Sequence, residues 1–556
     1  MKQPKGLFVL ALANTGERFG YYTMLAILLL YVQAQFGLST SVAGQIYSGF
    51  LALVYFLPIL GGMIADRWNF RKTVTLGLFV MFAGYAVLTI PTPRMSVTAY
   101  LVLFGGLFLI CCGTGLFKGN LQVMIGDLYN APEYSAYRDE AFSLFYMFIN
   151  IGAMFAPAAS EALCDMALNA QGYVYDPAIP SICNELLKHG TAALSAADTQ
   201  TLMQFAGTHD ITAFAPAYLD ALTNGYRYAF ALACLSLVVS YAIYWFGRST
   251  YAHIGGNATV DASRQDGTVS GSFPQLTPQQ TRSRITALLL VFAVVIFFWM
   301  VFHQNGATLT KFAEVFTSTR ASGLTRIGFN VFALLTFSIA VWLVYGLFKS
   351  RSTRLRTVLW TLLIVCLAGL IYFYAETPDP TDVGQPQIFQ QFNSFFVVAL
   401  TPLSLAFFGW LQRRGKEPSA PRKIGLGMLT AAIAFLIMFT CSLGLGVAPA
   451  SGQAAHTVSP NVLISTYLIL TVAELLLSPM GISFVSKVAP PKYKGMMMGA
   501  WFGATAIGNY LVSIPTLLWN RIDVSILWAI LMGVCLLSAS FIFAIMKKLE
   551  AATAGE

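Results

Sequence analysis

The chain has 556 residues, of which 57% are hydrophobic and only 10% are charged, and its mean hydropathy is +0.67. A soluble protein of this length would carry about 25% charged residues, so these numbers exclude an ordinary soluble enzyme. The net charge of +9 fits a membrane protein, because Lys and Arg collect in cytoplasmic loops. We therefore expect a protein embedded in the lipid bilayer, with no nucleic-acid partner.

Fourteen apolar blocks follow one another along the chain, each close to the roughly 20 residues that a helix needs to span a bilayer. The first block is longer than the apolar core of a signal peptide and contains two charged residues, so we predict a retained membrane helix. Strand-like alternation is absent from the sequence, which favours an all-α membrane protein over a barrel. The predicted blocks are 7–32, 43–65, 73–91, 98–117, 141–162, 227–247, 284–303, 328–348, 355–375, 389–411, 424–446, 461–486, 495–517 and 524–546.

Two long segments between blocks divide the predicted molecule into an N-terminal bundle, 1–247, and a C-terminal bundle, 284–556. Residues 163–226 are mildly apolar and are expected to hold a short helical cap. Cys164 and Cys183 lie in this loop, where a disulfide and two free thiols are weighed equally. The second segment, 248–283, is polar and rich in Gly and Ser, which predicts a flexible linker.

The distribution of basic residues predicts the orientation of the chain. With a cytoplasmic N-terminus, 24 Lys and Arg residues fall in inside loops and seven in outside loops. This bias places both termini in the cytoplasm, loop 163–226 outside and linker 248–283 inside, with the protein in the cytoplasmic (inner) membrane. The basic turn KSRSTRLR joins two further blocks into a hairpin, 328–375, whose tip is cytoplasmic.

Five ionisable side chains lie inside the apolar blocks: Glu17, Arg18, Lys118, His303 and Glu474. Charge at this depth costs on the order of 3 kcal/mol, and such residues usually face a water-filled cavity and act on an ion or substrate. Both signs of charge are present, which suits a small zwitterion, with Arg or Lys for its carboxylate and Glu for its ammonium group. The alternatives are structural: an ion pair that only joins helices, a snorkelling lysine or an interfacial histidine.

Several polar and aromatic residues share helical faces with these charges. Asn14 and Tyr21 are spaced by three and four residues from Glu17, and Tyr22 lies four residues after Arg18. The other neighbours within one helical turn are Trp299 beside His303, Asn150 beside Tyr146, Asn393 beside Gln390, and Ser478 beside Glu474.

The segments that carry these residues resemble the signature motifs of the proton-dependent oligopeptide transporters (the POT or PTR family) of the major facilitator superfamily. ERFGYY resembles the end of the family's first-helix signature, in which an acid precedes the Glu-Arg pair by three positions. The other matching segments are GGMIADRWNFRK, GTGLFKGNLQ, FSLFYMFINIGA, FFWMVFHQNG, FQQFNSFF, AELLLSPMG and MMMGAWFGATAIGNYL, in chain order.

The resemblance implies a major facilitator fold, with two six-helix bundles around a central cavity plus an extra transmembrane hairpin. It also implies secondary active import of di- and tripeptides by proton symport with alternating access, with protons as the coupling ion and no cofactor. Arg18 and Lys118 would hold the peptide carboxylate, and Glu474 the amino terminus. The implied pocket residues are Tyr21, Tyr22, Tyr55, Asn150, Asn393, Ser478 and Trp501, and the implied positions for proton coupling or gating are Asn14, Glu17, His303 and Glu474.

Three departures from the family pattern qualify this interpretation. Asn14 and His303 stand where the family has acids, and the additional hairpin 328–375 lies between the seventh and eighth core helices instead of between the two bundles. Our hypothesis is that His303 takes over part of the proton-handling role. The alternative is a facilitator or symporter of another small solute, such as an amino acid, nitrate or another anion, with altered proton coupling.

Two further function classes are disfavoured by the same residues. A non-transporting receptor would not need charges in the cavity contributed by both bundles, and an enzyme would need a nucleophile–base pair or metal cluster that the sequence does not show. A monomer is the working assumption, and the sequence leaves the oligomeric state open.

Overall fold

The computed structural model describes residues 3–129, 133–134, 138–207, 209–254, 277–450, 452–490 and 494–553. Within these residues, thirteen helices are long and apolar enough to cross a membrane, which confirms the all-α membrane class. The N-terminal half contains α1 (Lys5–Phe36), α2 (Thr40–Arg67), α3 (Phe70–Leu88), α4 (Val97–Leu128), α5 (Arg138–Asn169), α6 (Ile179–His189), α7 (Ala196–Ala206) and α8 (Ile211–Phe246).

The C-terminal half begins after the linker and contains the remaining helices. They are α9 (Pro278–Phe302), α10 (Thr308–Phe316), α11 (Val331–Lys349), α12 (Thr353–Glu376), α13 (Gln391–Arg413), α14 (Ala420–Cys441), α15 (Pro460–Val488), α16 (Lys494–Leu511), α17 (Ser513–Leu518), α18 (Val524–Ala544) and α19 (Met546–Thr553). A two-residue antiparallel pair, β1 (Arg320–Ala321) and β2 (Thr381–Asp382), joins the loops that flank the hairpin formed by α11 and α12.

The apolar core is divided in the same way as the chain. One cluster of buried side chains is formed almost entirely by α1–α8, and a second by α9–α18. The halves are therefore two separately packed helical units.

Helix ends follow local capping chemistry. The hydroxyls of Ser39 and Ser96 accept hydrogen bonds from the first-turn N–H groups of α2 and α4, which would otherwise lack partners.

A capping box at the start of α9 corrects the predicted linker 248–283. The side chains of Thr277 and Gln280 each accept a hydrogen bond from the other's backbone N–H, an arrangement that starts a helix. Helix α9 therefore begins at Pro278, six residues before the predicted block. Most of the predicted linker, 255–276, lies outside the described residues.

The predicted loop 163–226 is also shorter than expected. Helix α5 continues to Asn169, and α8 begins at Ile211, where the Asp210 side chain caps its first turn. The connection between them holds the expected helical cap as two short helices, α6 and α7.

The cysteine pair of this region is not a disulfide. Cys164 and Cys183 are both buried and free. Cys164 belongs to α5, where Gly225 of α8 packs closely against its backbone, and Cys183 lies on the buried side of α6. Burial raises the pKa of the Cys183 thiol to about 12, so the thiolate required for disulfide exchange is scarce.

Two predicted membrane blocks are broken in the structure. The block 495–517 is divided at Val512 into α16 and α17, and it is not among the thirteen long apolar helices. The seventh block continues beyond its predicted end: α9 is followed by a 3₁₀ turn, His303–Gly306, and then by α10. A Cβ on Gly306 would overlap the end of the Tyr47 side chain, so glycine there allows this side chain of α2 to lie against the turn.

We call the face of the molecule where α1 ends the distal face, and the face where α1 begins the terminal face. Hydrogen bonds connect the two halves at the distal face. Glu161 of α5 accepts a hydrogen bond from the backbone N–H of Gln385 (2.6 Å), and Asp165 accepts one from the Gln385 side chain (2.8 Å). The Ser181 hydroxyl of α6 accepts a bond from the N–H of Gly452 at 2.8 Å. These contacts join the halves on the distal side of the central cavity.

Candidate functional site

A cavity of about 250 Å³ lies between the two halves and receives side chains from both. Its volume is just below the roughly 300 to 1,000 Å³ of pockets that hold drug-sized ligands, so it suits a small solute. Glu17 lies outside its lining, and the other predicted site residues line it: Asn14, Arg18, Tyr21, Tyr22, Tyr55, Lys118, Asn150, His303, Asn393, Glu474, Ser478 and Trp501.

The polar stretch of α1 forms an ion pair within one helix. Arg18 donates from Nε to Oε2 of Glu17 (2.5 Å) and from Nη2 to Oε1 (2.6 Å), and both side chains are buried. The Arg18 guanidinium lies 4.7 Å from the ring centroid of Tyr21. A two-bond fork of this kind largely neutralises Glu17, and Arg18 is the partner that faces the cavity.

Lys118 of α4 is held by an aromatic ring. Its Nζ lies 3.9 Å from the centroid of the Tyr55 ring on α2, which is a cation–π contact. Within the described part of the chain, no carboxylate forms a salt bridge with Lys118. The lysine therefore brings a positive charge into the cavity that a ligand anion can neutralise.

Glu474 of α15 is the corresponding negative charge in the other half. The Tyr146 hydroxyl donates to its Oε1 and the Asn393 amide to its Oε2, each at 3.0 Å. These neutral donors orient the carboxylate, and no cation pairs with it among the described residues. Because Tyr146 belongs to α5, this hydrogen bond also links the two halves.

His303 lies at the break between α9 and α10. Its ring stacks on Trp299 with centroids 5.0 Å apart and planes 19° apart, and the Tyr55 ring is 6.3 Å away. Three buried atoms around the cavity have no hydrogen-bond partner among the described residues: Nδ1 of His303, Nε1 of Trp299 and Nδ2 of Asn14. Buried polar atoms are rarely left unpaired, so this wall is suited to water or a polar ligand.

Aromatic rings enclose the remaining sides of the cavity. Tyr21 and Tyr22 meet edge to face with centroids 5.3 Å apart. Trp501 of α16 lies against Gly481 of α15, where an added Cβ would be 1.9 Å from the indole ring. Glycine at this position lets the indole lie close to α15, which fixes Trp501 in the cavity wall.

Several lining residues were missed by the sequence predictions, among them Gln122, Asn305 and Thr505. Helical spacing could have identified two of them, because Gln122 follows Lys118 by four residues and Thr505 follows Trp501 by four. Asn305 lies in the 3₁₀ turn after α9, which the Asn305–Gly306 dipeptide could have indicated.

A second cavity, of about 320 Å³, lies toward the distal face and is lined by α1, α6, α8 and α10. Lys311 and Glu314 of α10 form a salt bridge in its wall, and both side chains are buried. The sequence predictions placed Lys311 in an outside loop, which is wrong because α10 extends the seventh helix past its predicted end. The family resemblance identified no role for this pair.

Comparison with known proteins places this architecture in a family. The sequence profile of the POT family matches residues 71–266 and 357–532, more than half of the chain. The chain belongs to the POT family. The predicted resemblance is therefore confirmed, and with it the expectation of a multi-pass membrane transporter that is not an enzyme.

Similar proteins with curated names are peptide permeases. Dipeptide and tripeptide permease A of Chromobacterium violaceum is 25% identical over 515 residues, which cover 92% of this chain and 84% of the permease. Dipeptide and tripeptide permease B of Salmonella typhimurium is 25% identical over 538 residues, covering 94% and 89%. The alignments run nearly end to end, so the similarity concerns the whole transporter.

Solved structures of POT transporters share the fold. The peptide transporter POT in complex with alafosfalin has a TM-score of 0.66 and 22% identity, covering 100% of this chain and 96% of that one. A POT family transporter in complex with 5-aminolevulinic acid has a TM-score of 0.67 and 20% identity, covering 98% and 97%. These similarities show that the chain shares the fold of the solved POT transporters.

Proposed function

We propose that this POT-family protein imports di- and tripeptides by proton symport, exposing its central cavity alternately to the two sides of the membrane. The observation that carries the proposal is the pair of opposite charges in that cavity, Lys118 and Glu474, which are contributed by different halves and have no ionic partners among the described residues. A short peptide at neutral pH carries the complementary charges at its two ends.

The carboxylate of the peptide binds Lys118 and the free side of Arg18, and its ammonium group binds Glu474. Two neutral donors, Tyr146 and Asn393, hold the carboxylate of Glu474 in place without cancelling its charge. The aromatic walls accept side chains of different shapes, because ring faces offer apolar contact without a fixed hydrogen-bond pattern. A peptide bound in this way bridges the two halves, as alternating access requires.

Proton coupling requires a group whose protonation differs between the two states of the carrier, because otherwise no coupling free energy exists. We assign that role to Glu17, Glu474 and His303, the titratable acids and imidazole at or directly behind the cavity wall. His303 supplies a titratable group at the position where other family members place an acid.

The names of the related permeases support peptides as the transported solute, since they describe transport of dipeptides and tripeptides. One feature favours a second candidate. Asn14 and His303 leave the cavity with fewer carboxylates than the family pattern, and a more positive cavity would favour an anion such as nitrate.

The decisive experiment is uptake of labelled dialanine by proteoliposomes with and without an imposed pH gradient, acid on the outside. We expect accumulation that needs the gradient and is inhibited by unlabelled di- and tripeptides, and much less by single amino acids or nitrate. Gradient-independent equilibration would indicate a facilitator, and inhibition by nitrate without inhibition by peptides would replace the proposed substrate.

We further propose that the terminal face is cytoplasmic and that the protein lies in the inner membrane. The support is the positive-inside bias of the loops at that face. Labelling of a cysteine placed in the hairpin tip with a membrane-impermeant maleimide, before and after cell lysis, tests the orientation: reactivity only after lysis is the expected result.

A further inference from the structure

A large groove lies on the outer surface of the C-terminal half, away from the central cavity. It measures about 940 Å³ and is bounded by α11, α12 and α13. Helix α11 packs against both neighbours, and the Trp342 indole N–H donates to the carbonyl oxygen of Val398 at 2.9 Å, which fixes α11 to α13. The groove is therefore open between α12 and α13, with α11 as its floor.

The walls of the groove are apolar over the length of one leaflet. Along α11 it runs from Phe337 to Lys349, a helical distance of roughly 18 Å, and one leaflet has about 15 Å of hydrocarbon. On the α13 wall, the small residues Ala406 and Gly409 leave the space open. The α12 wall contributes the apolar side chains of Leu363, Leu367 and Leu370.

The end of the groove at the terminal face is cationic. Lys349, Gln412 and Arg413 line it there, and neither cation forms a salt bridge within the described residues. The nearby acid in this part of the chain, Glu417, already pairs with Lys423 at 2.5 Å. Further basic residues of the same helix ends and turns are Arg351, Arg354, Arg356, Arg414 and Lys416.

We propose that this groove binds an anionic phospholipid of the leaflet at the terminal face. One acyl chain fills the apolar slot, and the headgroup phosphate lies between Lys349 and Arg413, with the Gln412 amide as a further donor. A zwitterionic lipid would place its ammonium group among the cations, so the site selects an anionic headgroup. The proposal does not depend on the transported solute.

The test is native mass spectrometry of the full-length protein in detergent, titrated with phosphatidylglycerol or with phosphatidylcholine of the same acyl chains. Each Lys or Arg near an anionic headgroup contributes about fivefold in affinity, so two contribute roughly 25-fold. We expect phosphatidylglycerol to be retained more tightly by about that factor. The double variant Lys349→Gln/Arg413→Gln should lose most of this preference, and Arg354→Gln, an exposed cation that does not line the groove, should keep it.

A second variant tests the slot itself. A Cβ at Gly409 would meet no atom within 4 Å, so Gly409→Leu is compatible with the fold while its side chain enters the groove. We expect it to weaken retention of both lipids. Gly105→Leu is the matched control, because Gly105 is an exposed helical glycine in α4 that also has open space around it.

Three outcomes would overturn the proposal. The first is equal retention of the two lipids by the unaltered protein. The second is a preference for phosphatidylglycerol that survives in the double variant or falls as much in Arg354→Gln, since the charge would then act only through the general surface. The third is that a second polypeptide, either another copy of this chain or a different membrane protein, is found bound to the unaltered protein and is lost in Gly409→Leu.

Discussion

Lys118 and Glu474 show why charge is retained at bilayer depth in this protein. Each is oriented by neutral groups, a tyrosine ring for Lys118 and two hydrogen-bond donors for Glu474. Neutral partners hold a charge in place but stabilise it less than a counter-charge would. The cost of burying these side chains is therefore offset most fully when an amphoteric solute is bound.

This arrangement predicts recognition of the peptide ends. In Glu474→Gln, the preference for a free dipeptide over its N-acetylated form should fall by about 10- to 150-fold, the value of a hydrogen bond to a charged group. The measurement is competition against labelled dialanine uptake. Ser478→Ala, an uncharged change in the same wall, should keep the preference. An unchanged preference in Glu474→Gln would show that the ammonium group binds elsewhere.

His303 gives a second prediction at this scale. Glutamine in its place keeps hydrogen-bonding capacity but cannot accept a proton in the physiological range, as imidazole can. We expect His303→Gln to reduce gradient-driven uptake several-fold while exchange of labelled for unlabelled peptide without a gradient persists. Uptake measured at several external pH values checks this, and a pH profile identical to that of the unaltered protein would remove His303 from the coupling mechanism.

At the scale of the element, the seventh membrane helix is two helices joined by a 3₁₀ turn. The turn His303–Gly306 places His303 and Asn305 in the cavity wall, whereas a continuous helix would not hold both residues in these positions. Beyond it, every residue of α10 is buried, including Lys311 and Glu314. A short helix with this burial needs its charges to be paired with each other.

Removing one member of that pair should therefore be costly. Glu314→Gln leaves the Lys311 ammonium without a counter-charge, and breaking a buried ion pair typically costs about 3–5 kcal/mol. Thermal unfolding in detergent should show a clear decrease in midpoint, and the double variant Lys311→Met/Glu314→Leu should recover most of it. Glu185→Gln, which removes a partly exposed pair with His189, should change the midpoint little. Equal effects of Glu314→Gln and Glu185→Gln would contradict the pairing argument.

At the scale of the whole molecule, the halves are held together on the distal side of the cavity. Glu161 and Asp165 of α5 accept both the backbone and side-chain hydrogen bonds of Gln385, immediately before the 3₁₀ turn that leads into α13. A carrier that alternates its access must break these bonds whenever the distal side opens.

Glu161→Ala should consequently favour the distal-open state. Loss of one hydrogen bond is worth about 0.5–1.5 kcal/mol, which shifts the equilibrium about 2- to 12-fold. The measurement uses a cysteine-depleted protein with spin labels at Thr191 and Ser322, exposed positions in distal loops of the two halves. The distribution of distances between the two labels should shift toward longer values. Glu376→Gln, an exposed acid at the end of α12, is the control. An unchanged distance distribution in Glu161→Ala would mean that other contacts hold the distal side closed.

Sequence by itself determined the membrane class, the approximate helices, the family and the charged residues around the cavity. These properties are local: an apolar block shows its length directly, and a motif such as ERFGYY or AELLLSPMG keeps its residues within a few turns of one helix. Even the lining residues that the sequence predictions missed, such as Gln122 and Thr505, follow helical spacing from a residue that they identified.

Only the tertiary structure decided which groups meet. It showed that Glu17 pairs with Arg18, that Cys164 and Cys183 stay free, and that the seventh helix breaks at His303. The state of the cysteines depends on how closely separate helices approach, as at Gly225 against Cys164. The choice of partner for Glu17 depends on where α4 places Lys118 relative to α1. Such distances are set by packing between segments far apart in the chain, and no spacing within one segment contains that information.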